Sequence, residues 1–179
     1  MKNNIALIGF MGTGKSAIGQ ALAKKLGWQF TEVDALIKQM AGKSIPDIFT
    51  QDGEIAFREL EIEAIKQVAQ GQKQIIACGG GVVLNTINIS RLRETGVLVL
   101  LTASPGVILK RTSQSGNTRP LLAGADISIA RIKELLIYRK PYYQRAADIV
   151  VNTSRTGIHA SADLIFEKLG TYASINLPQ

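Results

Sequence analysis

Apolar positions along the chain follow two alternating rhythms. Short unbroken runs at Ile5-Ala6-Leu7-Ile8, Ile75-Ile76-Ala77 and residues 97–101 have the length and continuity of strands buried on both faces. Between them apolar residues recur at helical spacing; over residues 54–70, Phe57, Leu60, Ala64, Ile65 and Val68 fall on one stripe. The same reading predicts strands over residues 28–33, 73–78 and 148–151. It predicts helices over residues 17–26, from Ala35, around residues 90–94, from Ser104-Pro105 through Arg111, and over residues 126–139 and 160–169. Ser44 with Asp47 three positions later has the form of a capped helix start, and Pro105 takes the favoured first helical position. Strand and helix alternating in this way predict an α/β domain of three layers, α/β/α, around a central parallel sheet of about five strands. Such sheets bind ligands at the carboxyl ends of their strands.

Chemistry gathers at those ends. The first strand empties into Gly9-Phe10-Met11-Gly12-Thr13-Gly14-Lys15-Ser16, a G-x-x-x-x-G-K-S loop that opens a helix. Backbone N–H groups and a helix N-terminus then converge on one anion. Lys15 is placed to reach the β- and γ-phosphates of a nucleotide, and the Ser16 hydroxyl to ligate the Mg²⁺ that bridges them. Asp34 follows the second strand, where it is a helix cap, a functional carboxylate or both. Gly79-Gly80-Gly81 follows the third, either as a flexible turn or as bare backbone against which a ligand lies. Arg58 and Glu61, three apart on one helix, are close enough for one to orient the other. Residues 113–125 hold Gly116, Asn117, Pro120 and Gly124 around Arg119 between two helices, which suits a lid.

Composition narrows the classes. The 179 residues suit a single domain over residues 1–179, and 46% hydrophobic with 20% charged residues is ordinary for a soluble globular protein. A charge of +7 is dispersed over the chain, and aromatics are 6% without basic-aromatic interleaving, so small anionic substrates are expected and nucleic acid is not. No apolar run approaches a membrane span, and no signal segment precedes the first strand, so a cytoplasmic location and no membrane partner are expected. One cysteine, Cys78, and one histidine, His159, leave no Cys/His metal cluster to propose; Cys78 in an apolar strand is expected to be core. Residues 171–179 are expected to be a loose tail.

Taken together, several separate motifs resemble the shikimate kinases, small P-loop enzymes of the nucleoside monophosphate kinase type. They are the Gly9 to Ser16 loop, Asp34, Ser44-Ile45-Pro46-Asp47-Ile48-Phe49 with Gly53-Glu54, Phe57-Arg58-Glu59-Leu60-Glu61, Gly79-Gly80-Gly81, Arg119-Pro120-Leu121-Leu122 and Tyr138-Arg139-Lys140-Pro141-Tyr142. The resemblance implies a P-loop kinase fold and transfer of the γ-phosphoryl group of ATP to the 3-hydroxyl of shikimate, giving 3-phosphoshikimate and ADP on the route to chorismate and the aromatic amino acids. It implies ATP contacts from Gly12, Thr13, Gly14, Lys15, Ser16, Ala17, Arg111, Arg119 and Arg155. Shikimate contacts are implied for Asp34, Arg58, Gly79, Gly80, Gly81 and Arg139, within a binding segment over residues 34–61 and beyond it. Lys15, Asp34 and Arg119 take the catalytic roles, and one Mg²⁺ ion is held by Ser16 and, through water, by Glu32. ATP and shikimate are the expected partners of a monomer. Two positions depart from the family pattern: Glu32 stands where an aspartate is common, and Ala17 where a threonine is. A gluconate-type or nucleoside monophosphate kinase is the competing enzyme reading, and a non-catalytic relative is the other alternative. A GTPase-type switch is disfavoured because neither an N-K-x-D nor a D-x-x-G segment occurs.

Overall fold

The computed structural model describes residues 2–114, 128–172, 175 and 177. In chain order its elements are β1 (Asn4–Ile8), α1 (Lys15–Leu26), β2 (Gln29–Glu32), α2 (Val33–Ala41) and the single turn α3 (Ile45–Asp47), which runs through a π-helical turn (Ile48–Asp52) into α4 (Gly53–Ala69). There follow β3 (Gln74–Ala77), a 3-10 turn (Val82–Leu84), α5 (Thr86–Thr95), β4 (Gly96–Thr102), α6 (Pro105–Gln114), α7 (Ile129–Ala146), β5 (Ile149–Asn152) and α8 (Ile158–Gly170). The strands form one parallel sheet in the order β2-β3-β1-β4-β5.

The continuous apolar strands sit where that pattern requires. Every residue of β1 is buried, because β1 is central, pairing Ile5 with Ile75 on one side and with Val97 on the other. Alternate side chains serve two cores. Ala6, Ile8, Ile76, Leu98 and Leu100 meet Ile37 of α2, Ile65 and Val68 of α4, Leu92 of α5 and Tyr143 of α7. Ile5, Leu7, Ile75, Val97, Val99 and Leu101 meet Ile18 and Leu22 of α1 and Ile165 and Leu169 of α8. A third, small cluster of Phe10, Met11, Ile108 and Ile132 seats the loop after β1 against α6 and α7. The chain therefore folds as the three-layer arrangement expected.

Four differences from the expected elements have local causes. β2 stops at Glu32, level with the end of its partner β3, and Val33 already begins α2. Asp34 thus lies within the first turn of α2, and the capping position is Glu32. The helix expected to end at Arg139 continues through Pro141 to Ala146. Pro141 cannot donate to the Ile137 carbonyl, but Ile137 lies on the exposed side while Ile132, Arg139, Tyr143 and Ala146 hold the other side in the core. Of residues 113–125, Ser113 and Gln114 belong to α6, and the rest, Arg119 included, lie outside the described residues. In the tail, Ile175 bridges to Lys2, and Tyr172, Ile175 and Leu177 pack on the α1/α8 core, so these three positions are tied down. Cys78 is buried core, as expected. Among the described residues no helix is long and apolar enough to cross a membrane.

The amino ends of the strands are tied by one polar side chain. Asn4 is fully buried; its Nδ2 donates to the Gly71 carbonyl at 2.8 Å and its Oδ1 accepts from Gln74 N at 3.1 Å. Asn4→Ala leaves both groups without a partner and is expected to lower the unfolding free energy by ~2–4 kcal/mol in urea denaturation.

Candidate active site

The loop after β1 turns because of where its glycines stand. Gly9 has φ +142°, and a Cβ there would collide with the Leu101 carbonyl oxygen at the end of β4, so only glycine lets the loop leave the sheet at this point. Thr13, buried beneath the loop, donates from Oγ1 to the Phe10 carbonyl at 2.7 Å. Gly12 and Gly14 flank Thr13, and α1 follows with Lys15, Ser16 and Ala17 as its first residues. The Lys15 ammonium folds back over the loop, donating to the carbonyls of Gly9 at 2.8 Å and Phe10 at 3.0 Å. Ser16 Oγ donates to Glu32 Oε1 at the end of β2, which brings the two residues expected at the metal together.

On the other flank of the loop, Arg111 of α6 donates from Nη1 to the Gly12 carbonyl at 3.1 Å and to Thr153 Oγ1 at 3.1 Å, and from Nη2 to the Thr153 carbonyl at 2.8 Å. Thr153 Oγ1 is in turn 2.9 Å from the Thr13 carbonyl. The arginine expected near the adenine thus also clamps the glycine loop to the segment after β5. Arg155 is exposed on that segment and lines an open cleft with Ser104, Asn152 and Ser154.

Gly80 lies against Gly9 and Met11 of the loop, and charged side chains gather around the three glycines. Arg58 of α4 donates from Nη2 to Glu54 Oε1 at 3.0 Å and from Nη1 to Glu61 Oε2 at 3.1 Å, with its guanidinium 5.2 Å from the Phe57 ring centre. A Cβ on Gly81 would stand 2.6 Å from Arg58 Nη1, so the guanidinium rests on bare backbone. A Cβ on Gly79 would stand 3.0 Å from Asp34 Oδ1 and 3.3 Å from Glu61 Oε1, so two carboxylates converge there. From the other side Arg139 of α7, 3% exposed, donates from Nη1 to the Gly80 carbonyl at 3.3 Å and stacks 5.6 Å from the Phe10 ring centre. Its Nε has no hydrogen-bond partner among the described residues. Two guanidinium groups flank a glycine strip, with Asp34 beside it; this arrangement suits a small polyhydroxylated carboxylate.

Of the expected site residues, Arg119 lies outside the described residues, and Arg155 stands after β5, on the segment that Arg111 ties to the glycine loop. Sequence reasoning overlooked Thr153, which had no local signal, and Phe10, which lay inside the loop motif as an unassigned position. Tyr143 was overlooked because the helix was expected to stop before it. Glu61 had a signal, its spacing from Arg58, but no expected role of its own.

A glycine-rich phosphate loop at the switch point of a parallel sheet with order 2-3-1-4-5 defines a P-loop kinase fold. A family model described as shikimate kinase matches residues 11–170. The chain is 41% identical to the shikimate kinase of Symbiobacterium thermophilum over 93% of its own length and 95% of the relative's. It is 47% identical to that of Thermodesulfovibrio yellowstonii over 84% and 85%. The solved structure of shikimate kinase from Acinetobacter baumannii in complex with shikimate superposes with a TM-score of 0.91 at 30% identity, covering 97% of this chain and 96% of that one. The chain belongs to the shikimate kinase family.

Burial raises the Glu61 pKa from its ordinary 4.5; Arg58 pulls it back by charge and hydrogen bond, and the Asp34 charge adds to the rise. The folded protein therefore binds a proton that the unfolded chain has released. The stability that Glu61 contributes is complete below pH 4.5 and is lost as the pH rises through its higher folded value. Glu61→Gln removes this titration while Oε1 remains to accept from Arg58. Denaturation at a series of pH values is expected to show the parent losing stability relative to the variant as the pH climbs from 4.5 toward neutrality.

Proposed function

We propose that this chain transfers the γ-phosphoryl group of ATP to the 3-hydroxyl of shikimate, giving 3-phosphoshikimate and ADP. The observation that carries this reading is the pair Arg58 and Arg139 on either side of Gly79-Gly80-Gly81, with Asp34 beside them and the phosphate loop adjoining. In this reading the guanidinium groups take the shikimate carboxylate, which fixes the ring, and Asp34 accepts from the ring hydroxyls. The hydroxyl oxygen forms a bond to the γ-phosphorus as the bond from that phosphorus to the β,γ-bridging oxygen breaks, and the negative charge passes to ADP. The hydroxyl proton leaves toward Asp34. A loose transition state asks more of orientation than of base strength, so Asp34 acts chiefly by aiming the nucleophile.

Nucleotide is held by Gly12, Thr13, Gly14, Lys15, Ser16 and Ala17, with Arg111 and Arg155 toward the base. Lys15 exchanges its two carbonyl contacts for phosphate oxygens, a charge-assisted replacement that favours the loaded state. Among the described residues no three His, Cys, Asp or Glu side chains form a metal cluster. Mg²⁺ keeps most of its water and takes few protein ligands. The oxygens of Ser16 and Glu32 already meet, and they are the donors that would hold the ion, directly and through water. Bound there with ATP, Mg²⁺ supplies charge neutralisation for the phosphates. Arg119 is assigned to the charge that develops on the transferring group, within a lid closing over the nucleotide. ATP and shikimate are the proposed partners of a cytoplasmic monomer.

Coupled measurement of ADP release with and without shikimate tests the reading; turnover that does not depend on shikimate would overturn it, and gluconate and nucleoside monophosphates are the comparison acceptors. Lys15→Met is expected to abolish transfer while the melting temperature stays near that of the parent, because the ammonium is a point charge at the phosphates rather than part of the core. Arg119→Ala is expected to lower kcat by roughly 10³-fold with little change in the KM for shikimate, since that substrate is held elsewhere.

A further inference from the structure

The Gly80 carbonyl oxygen receives two donors from one helix. Tyr143 Oη donates to it at 2.5 Å and Arg139 Nη1 at 3.3 Å, and the two residues, four apart on α7, face the same way. The phenol holds the better bond and leaves the guanidinium at the outer limit of hydrogen bonding. Tyr143 is 4% exposed, and burial pushes its phenol up to about 12 against the opposing pull of Arg139, so the hydroxyl stays protonated and remains a donor at ordinary pH. Arg139 is a buried cation with one long bond to a carbonyl, a hydrogen bond and charge interaction with the Tyr143 phenol, an Nε without a hydrogen-bond partner among the described residues and an aromatic ring beneath it, and the Gly80 oxygen is an acceptor within its reach. Without the phenol, that oxygen would draw the guanidinium in. Because the C=O of one residue and the N–H of the next point oppositely across a trans peptide, holding the Gly80 carbonyl toward α7 also aims the Gly81 N–H away from it.

We propose that Tyr143 is a positioning residue for substrate recognition: its hydroxyl occupies the Gly80 carbonyl, keeping Arg139 available to an anion. This rests on the reading that Arg139 meets the shikimate carboxylate. The test is Tyr143→Phe, which keeps the ring in the core, assayed with shikimate and with the analogue that carries a hydroxymethyl group in place of the carboxylate. The loss of one neutral buried hydrogen bond predicts a ~5-fold rise in the KM for shikimate, with the KM for ATP unchanged. The affinity for the analogue, measured by calorimetry, is expected to be the same in parent and variant, since no anion engages Arg139. KM is independent of the folded fraction, so partial unfolding does not blur the comparison. Equal rises in both KM values, or the same penalty with the analogue, would make Tyr143 a packing residue only and overturn the proposal. Indifference of the parent itself to the carboxylate would overturn the placement of Arg139 on which the proposal stands.

Discussion

Burying β1 on both faces and pairing it on both edges is the constraint from which the rest follows. Its backbone polar groups find partners in β3 and β4, and its side chains fill the two cores, so within the strand there is no room for chemistry. Polar function is displaced to the point where the strand ends. There the chain must turn away beneath the Leu101 carbonyl, a turn that only glycine makes at Gly9. The anion site is thus a by-product of the same close packing that stabilises the centre of the sheet. Helices laid over each face then deliver side chains to that one edge: Lys15 and Ser16 from α1, Asp34 from α2, Arg58 from α4, Arg111 from α6 and Arg139 from α7.

Electrostatics at this edge are balanced rather than uniform. Glu61, 1% exposed, is a carboxylate in a place that disfavours charge, and Arg58 is the partner that partly restores it. Breaking such a pair by removing one member leaves the other uncompensated. Arg58 is consequently held between Glu54 and Glu61 before any ligand arrives, with its rotamer entropy already lost. Arg139 is prepared differently, by enclosure rather than by acidic partners. In the proposed reading an incoming carboxylate meets one cation oriented by acidic partners and one that is enclosed.

The sequence made the strands, the sheet type and the phosphate loop legible because each is encoded locally, in unbroken apolar runs and in glycine spacing. The Arg58–Glu61 pair was legible for the same reason, three positions on one helix. What escaped was set by tertiary contact. Pro141 is a stop signal in isolation, yet Arg139, Tyr143 and Ala146 are anchored on the buried side and carry α7 past it. Asp34 reads as a strand-end cap until the length of β3 fixes where β2 stops pairing. Thr153 has nothing around it in the sequence to mark it, because its three partners, Thr13, Thr102 and Arg111, are brought to it only by the sheet and α6.

Arg58 and Arg139 reach the same glycine strip from different helices: α4 packs on α2 and α5, whereas α7 packs on α6, β4 and the turn at Val82–Leu84. In the proposed binding mode, a molecule that grips both guanidinium groups adds a cross-brace between α4 and α7, which α5 already links through hydrogen bonds from Arg91 to the Ile62 carbonyl and from Arg93 to the Arg145 and Ala146 carbonyls. On that reading, bound substrate becomes a structural member of the enzyme. A ligand held in this way would add free energy to the folded state that grows with its concentration.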